Sequence, residues 1–248
     1  MDRAAEVQLD ADAQAAVVRC HTYLAQRVNA GGAPVYGVNT GFGDLASTEI
    51  PKADLGELQR RILLSHACGV GEPVPADLVR AMLLTKSLSL SKGHSGVAPA
   101  TLQRLLDMLN ADMLPVVPSQ GSLGASGDLA PLAHLVLPLL GEGELVLKGE
   151  RMPSGQALDR LGLRPLTLGA KEGLALINGT QLMLSYGLLG LRRAARLADW
   201  ADALAAWSLE AWHGRSEPFN AHIHRIRHAS GAATVAGNVR HWLAESAQ

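Results

Sequence analysis

The sequence is poor in cysteine, in aromatic residues and in net charge, and each shortage narrows the field. Only Cys20 and Cys68 occur, without paired spacing; this argues against a disulfide-stapled secreted scaffold and fits a reducing, cytoplasmic setting. Aromatic residues make up 4% of the chain and the formal net charge is -1. That balance offers no electrostatic footprint for nucleic acid or an anionic membrane. The opening Met1-Asp2-Arg3-Ala4-Ala5-Glu6 has no basic segment followed by an apolar stretch, so no signal peptide is expected. Charge is also missing from Gly173 to Leu191. Asn178, Thr180, Gln181 and Ser185 within that stretch would be costly facing lipid, so it reads as a buried core helix and not as a membrane span.

What is present is a hydrophobic fraction of 48% over 248 residues, enough for a sizeable core in one large domain or two modest ones. Apolar spacing predicts helices over Asp10 to Val28, Leu55 to Cys68, Asp77 to Ser91 and Ala100 to Asn110. Between the first two lies a loop, Val35 to Thr48, carrying Gly37, Gly41 and Gly43. Pro115 and Pro118 bracket a turn ahead of Gln120 to Asp128, and Leu129 to Leu140 reads as helical despite Pro131 and Pro138. Glu144 to Leu147, followed by Lys148-Gly149-Glu150, reads as a strand and turn. Val235 to Leu243 reads as a short terminal helix. From Gly173 a single helix is expected to about Trp212, spanning roughly 60 Å. A globule of this length has a radius of gyration of about 18 Å, and the remainder after Trp212 is too short to supply two helices of that size. Neighbouring helices from other chains are therefore expected. The fold class that follows is mainly α: a small mixed domain over residues 1–172, then the beginning of a long-helix core over 173–248 that belongs to a multi-chain bundle.

The most informative string runs Gly121-Ser122-Leu123-Gly124-Ala125-Ser126-Gly127-Asp128-Leu129-Ala130-Pro131-Leu132-Ala133-His134. A bare Ala-Ser-Gly carries little information, since Ser126 alone reads as a turn residue and Asp128 as the cap of the apolar helix that follows. The full string resembles the cofactor loop of the aromatic amino-acid ammonia-lyases and aminomutases. In that family the tripeptide cyclises and loses two waters to give a methylidene-imidazolone. The residue types suit that chemistry. The Gly127 nitrogen must reach back to the Ala125 carbonyl carbon, an approach that a side chain would obstruct. Ser126 must lose its hydroxyl to leave the exocyclic methylidene. The product is an electrophile, which ionisable side chains do not offer.

Three further segments resemble the family in the same order. Tyr36-Gly37-Val38-Asn39-Thr40-Gly41-Phe42-Gly43 resembles its tyrosine loop and implies Tyr36 as the base; taken alone, Tyr36 reads as a loop aromatic among turn glycines. A phenol with a reference pKa near 10 needs help to act as a base near neutrality, so an alkaline activity optimum is expected. Asn178-Gly179-Thr180-Gln181 resembles the asparagine motif. Asn178, Gln181 and Ser185 fall at i, i+3 and i+7 on one helix face, where a polar stripe either satisfies buried partners or lines a pocket. Ser65-His66-Ala67-Cys68-Gly69 resembles the selectivity segment as it reads in the histidine-specific lyases. This implies L-histidine as the small-molecule substrate and trans-urocanate as product, with Ser65, His66 and Gln181 at the substrate. On spacing alone His66 is a helix-face histidine.

The resemblance also marks what the chain lacks. Family members are longer, and a later Gln-Asp-x-Tyr-Ser-x-Arg segment supplies a carboxylate-binding arginine that has no counterpart here. A phenylalanine and a glutamate further along are missing too. Near the end, Arg227-His228-Ala229-Ser230-Gly231-Ala232 departs from the Arg-Pro-His-x-Gly-Gln of the histidine-specific lyases. Three readings stay open: a lyase half that assembles with a separate carboxy-terminal chain in a homo- or hetero-oligomer of tetramer-like arrangement, a non-catalytic fragment, and an aminomutase. Gly93-His94-Ser95-Gly96-Val97 lacks the final glycine of a hydrolase elbow, and the glycines from Gly37 to Gly43 lack the lysine of a phosphate loop. His213, His222, His224 and His228 read as solvated, so no metal is expected.

Overall fold

The computed structural model describes residues 5–31, 33–124 and 126–246, and the chain forms two compact units, Met1–Tyr186 and Gly187–Gln248.

The first unit is helical with two small sheets. Helix α1 (Ala11–Ala30) starts at Asp10, whose carboxylate accepts from the backbone of Asp12 and Ala13 and satisfies donors that a helix start leaves free. After the glycine-bearing loop come α2 (Leu55–His66), strand β1 (Val70–Pro73), α3 (Ala76–Leu90) and α4 (Pro99–Asn110). Proline at the first position of α4 loses nothing, since that N–H has no helical partner. Strands β2 (Met113–Pro115) and β3 (Pro118–Gln120) lie on either side of the expected proline turn. β3 pairs antiparallel with β1, and β2 pairs with β4 (Glu144–Leu147), which pairs with β5 (Glu150–Pro153) in a hairpin.

Helix α5 (Leu129–Val136) is the centre of the unit. Ala130, Pro131, Leu132, Ala133, Leu135 and Val136 are all buried, and the helix packs against α2, α3, β3 and α7 (Glu172–Ile177). Pro131 falls in its first turn, where the missing N–H breaks no helical bond. Pro138 falls in a separate 3-10 turn, Leu137–Leu140. A helix α6 (Ser154–Arg160) follows the hairpin.

The single helix expected from Gly173 to Trp212 is interrupted. α7 ends at Ile177, Asn178 is extended, and α8 (Gln181–Ala211) begins only after Gly179 and Thr180. Asn178, Gln181 and Ser185 therefore do not form one helical stripe. Gln181 and Ser185 remain buried on α8, with the Ser185 hydroxyl donating to the Gln181 carbonyl at 2.6 Å. α7 is held in place by Glu172, buried and accepting from the backbone N–H groups of Ala98 (2.8 Å) and Gly169 (2.7 Å).

In the second unit the later part of α8 is followed by a 3-10 turn, α9 (Ala221–Ile226) and α10 (Ser230–Trp242). Ala206, Ala236 and Val239 are buried there, and Asn238 donates to the Asp202 carboxylate at 2.7 Å. Much of α8 is apolar yet exposed: Met183 and Leu184 in the first unit, and Leu191, Leu197, Trp200, Leu204 and Trp207 in the second. The stretch Glu172–Ala211 is long and apolar enough to cross a membrane by length and composition only.

Candidate functional site

The sequence places its chemistry at the approach to α5, and the fold brings two of the three other segments against that approach. Ser122 to Asp128 forms a loop closed by its own hydrogen bonds. The Ser122 hydroxyl lies within reach of both the Gly127 carbonyl (3.0 Å) and the Asp128 carboxylate (2.8 Å), and the Gly127 N–H donates to the Gly124 carbonyl at 3.1 Å. Ala125, the first residue of the tripeptide, lies outside the described residues. Gly127 has φ +87°, and a β-carbon there would sit 2.9 Å from the Met183 methyl. The torsion favours glycine, and any side chain would also displace the Met183 methyl.

Asp128 sits in the capping position of α5 but makes no cap bond to that helix. Its carboxylate instead accepts from the Met183 N–H at 3.1 Å, in the first turn of α8. It is completely buried, so the residue following the tripeptide holds the start of a different helix. In the interruption between α7 and α8, the Gly179 carbonyl accepts from the Asp128 N–H (3.3 Å) and the Gly179 N–H donates to the Ser126 hydroxyl oxygen (3.4 Å). Ser126 and the Asn178-Gly179 segment are thus in direct contact. Gln181 Oε1 is buried with no hydrogen-bond partner among the described residues.

Tyr36 lies in the loop before α2, 53% exposed, with its ring edge-on to Phe42 at a centroid distance of 6.0 Å. The loop is closed by the Asn39 side chain on the Val35 N–H (2.7 Å) and by Thr40 on the Gly37 N–H (3.3 Å). It leans on α7 through Gly37, whose φ is +74° and whose added β-carbon would lie 2.3 Å from Leu174 Cδ2. Gly37→Ala is expected to destabilise the chain by about 2 kcal/mol, combining left-handed strain with displacement of the Leu174 side chain. A thermal melt beside the parent chain checks this, and an unchanged midpoint would contradict the packing of the Tyr36 loop on α7.

Ser65 and His66 end α2, which packs on both α5 and α7. His66 Nδ1 lies 2.8 Å from the Ile62 carbonyl, so Nδ1 carries the proton and Nε2 of the neutral ring is left as an acceptor. Ser65 Oγ donates to the same carbonyl at 3.1 Å. The segment is fixed further by a residue that sequence reasoning did not single out. His134 on α5 accepts the Gly69 N–H through Nε2 at 3.0 Å, and burial pushes its pKa down, which keeps that acceptor neutral.

Lys86 was likewise missed. It lies on α3 with 1% of its surface exposed, and Nζ donates to the Asn178 carbonyl at 3.2 Å. Burial pushes its pKa down to about 7. The signal was available, because Val79, Met82, Leu83 and Leu90 form the buried stripe of α3 and Lys86 occupies the same face. The histidines of the second unit gather no ligand set: among the described residues no group of three or more His, Cys, Asp or Glu is arranged to hold a metal.

Comparisons with known proteins agree on one family. The family model described as aromatic amino acid lyase matches residues 1–248. A histidine ammonia-lyase from Myxococcus xanthus is 53% identical over 242 residues, covering 98% of this chain and 47% of that protein. Among solved structures, histidine ammonia-lyase from Trypanosoma cruzi superposes with TM-score 0.87 at 39% identity, covering 96% of this chain and 45% of that one. A tyrosine aminomutase from Streptomyces globisporus gives TM-score 0.88 at 36% identity, covering 96% and 45%. The chain spans about half the length of the curated relatives it matches.

Proposed function

Because this chain belongs to the aromatic amino acid lyase family, we propose that it is the amino-terminal part of a histidine ammonia-lyase, converting L-histidine to trans-urocanate and ammonia. The observation that carries the reading is the contact of the Ser126 hydroxyl with the Asn178-Gly179 segment. It joins two motifs far apart in sequence, and the tripeptide ends in a glycine whose left-handed torsion disfavours any side chain. These residues fit a methylidene-imidazolone built from Ala125, Ser126 and Gly127, which supplies the electrophile that activates an amino acid for loss of ammonia.

The remaining roles belong to side chains of this chain. Tyr36, exposed in its loop, takes the β-proton of the substrate. His66, with Nε2 free as an acceptor, receives the substrate imidazole N–H, a recognition that a leucine at this position would not provide. Asn178, beside Ser126, and Gln181, whose buried carbonyl oxygen has no hydrogen-bond partner among the described residues, line the reacting end. An arginine to grip the substrate carboxylate has no motif counterpart among these 248 residues. Turnover is therefore assigned to this chain together with a carboxy-terminal region, continuous or separate, with the exposed apolar residues of α8 covered by helices of an oligomer. Free Cys20 and Cys68 suit a cytoplasmic location. The structural likeness to tyrosine aminomutase keeps a mutase in view, and His66 favours the lyase on histidine.

The test is ultraviolet detection of urocanate from L-histidine, with the chain alone and with a carboxy-terminal half supplied from a relative. His66→Leu is expected to lower kcat/KM for histidine by roughly 10- to 100-fold, the loss of one buried hydrogen bond with an unpaired partner. An undiminished kcat/KM would remove His66 from substrate recognition. A β-amino acid product in place of urocanate would favour the mutase.

A further inference from the structure

We propose that Lys86 is a positioning residue for cofactor maturation, acting through the Asn178–Gly179 peptide on the hydroxyl of Ser126. The inference rests on the reading that Ala125-Ser126-Gly127 cyclises. Its basis is that two contacts described above share one peptide group. Lys86 Nζ donates to the oxygen of the Asn178 carbonyl at 3.2 Å. The N–H on the other side of that same amide, belonging to Gly179, donates to Ser126 Oγ at 3.4 Å. A cation on the carbonyl oxygen draws electron density from the amide nitrogen and strengthens its N–H as a donor.

Among the described residues Lys86 forms no ion pair, and apart from Ser87 the other buried residues of α3 are apolar. A methionine would fill the same slot without a buried cation to satisfy. The ammonium has a use only if the carbonyl it touches does something, and the peptide's other end touches the serine that must react.

Maturation requires two dehydrations. In the first, a bond forms between the Gly127 nitrogen and the Ala125 carbonyl carbon, and the carbonyl oxygen departs as water with the amide hydrogens of Gly127 and Ser126. In the second, the Cα–H and Cβ–Oγ bonds of Ser126 break. The C–H electron pair becomes the new Cα–Cβ π bond, and the hydroxyl departs as water with the released proton. Negative charge gathers on Oγ as the Cβ–Oγ bond breaks, and the Gly179 N–H is the donor placed against it. Lys86 reinforces this donor without touching the reacting atoms, and so bears on the second dehydration more than on the first.

The experiment is a time course of intact mass on the purified full chain and on Lys86→Met and Lys86→Arg, with circular dichroism confirming the fold of each. The parent chain is expected to reach a deficit of two waters. Lys86→Met is expected to accumulate a species lacking one water, with the second loss slowed about tenfold, below the effect of removing a direct donor. Lys86→Arg, which keeps the cation, is expected to recover most of the rate. A merely structural role would block both losses together, since a distorted loop cyclises no better than it dehydrates. Lys86→Met keeping pace with the parent through both losses would overturn the proposal and leave the cofactor reading standing. A parent chain that loses no water would overturn both. Should Lys86→Met fail to fold, Lys86→Gln is read in its place, with the one-water species again expected and parent-like maturation again contradictory.

Discussion

The stability difference between Lys86→Met and the parent chain is expected to favour the variant by roughly 3–5 kcal/mol more at pH 7 than above about pH 10.5. Burial lowers the Lys86 pKa from 10.5 to about 7 in the folded chain, and each unit is worth about 1.4 kcal/mol. Below about pH 7 the amine is charged in both states, and the folded chain bears the full penalty of burying it. Between about 7 and 10.5 the unfolded chain holds more protons than the folded one, so stability rises with pH. Above that window the amine is neutral in both states. Lys171, half-buried and also lowered by burial, contributes in the same direction, so the difference between parent and variant isolates Lys86. Urea titrations across this range check the claim, and a constant difference at every pH would contradict it. A residue that destabilises the fold while touching the peptide beside Ser126 is the pattern expected of a functional site.

Asp128→Ala is expected to lose about 3 kcal/mol of stability and to stop maturation of the tripeptide. The carboxylate receives the Met183 N–H at the start of α8 and the Ser122 hydroxyl from within the loop. Removing it leaves the Met183 N–H without its acceptor, at about 1–3 kcal/mol, takes a negative charge from a helix N-terminus, and leaves the exposed Ser122 hydroxyl only the Gly127 carbonyl. Asp128→Asn keeps an oxygen for one of the two donors and is expected to lose about half as much. Chemical denaturation measures the first effect and intact mass the second. A variant as stable as the parent would show that the loop and α8 are held together by other means.

The helices were legible in the sequence wherever a long apolar stripe had clear ends. α1 to α5 fall within a few residues of their expected limits, and the Glu144 to Leu147 strand is in place. The three-residue strands β2 and β3 are too short to show any period and were read only as a proline turn. The interruption at Asn178-Gly179-Thr180 was overlooked because the charge-free apolar pattern continues on both sides of it. Its physical consequence is the most informative feature of the site. Outside a helical ladder, the Asn178 carbonyl and the Gly179 N–H are free to meet Lys86 and Ser126. The motifs around Ser126, Tyr36, His66 and Asn178 were visible as strings, whereas their supports were not. His134 reaches Gly69 across 65 positions and Lys86 reaches Asn178 across 92, pairings that no local pattern encodes. Asp128 was read as a cap for the helix it precedes, because a sequence shows which helix follows a residue and not which helix start lies beside it.

On the proposed reading, Ala125, Ser126 and Gly127 become an electrophile made from the chain itself. Intact mass of the purified chain beside Ser126→Ala tests it most directly. The parent chain is expected to show a deficit of two waters, localised by peptide mapping to the segment containing these residues, and the variant no methylidene. A parent chain at its full sequence mass, folded and with an unmodified Ser126, would contradict it.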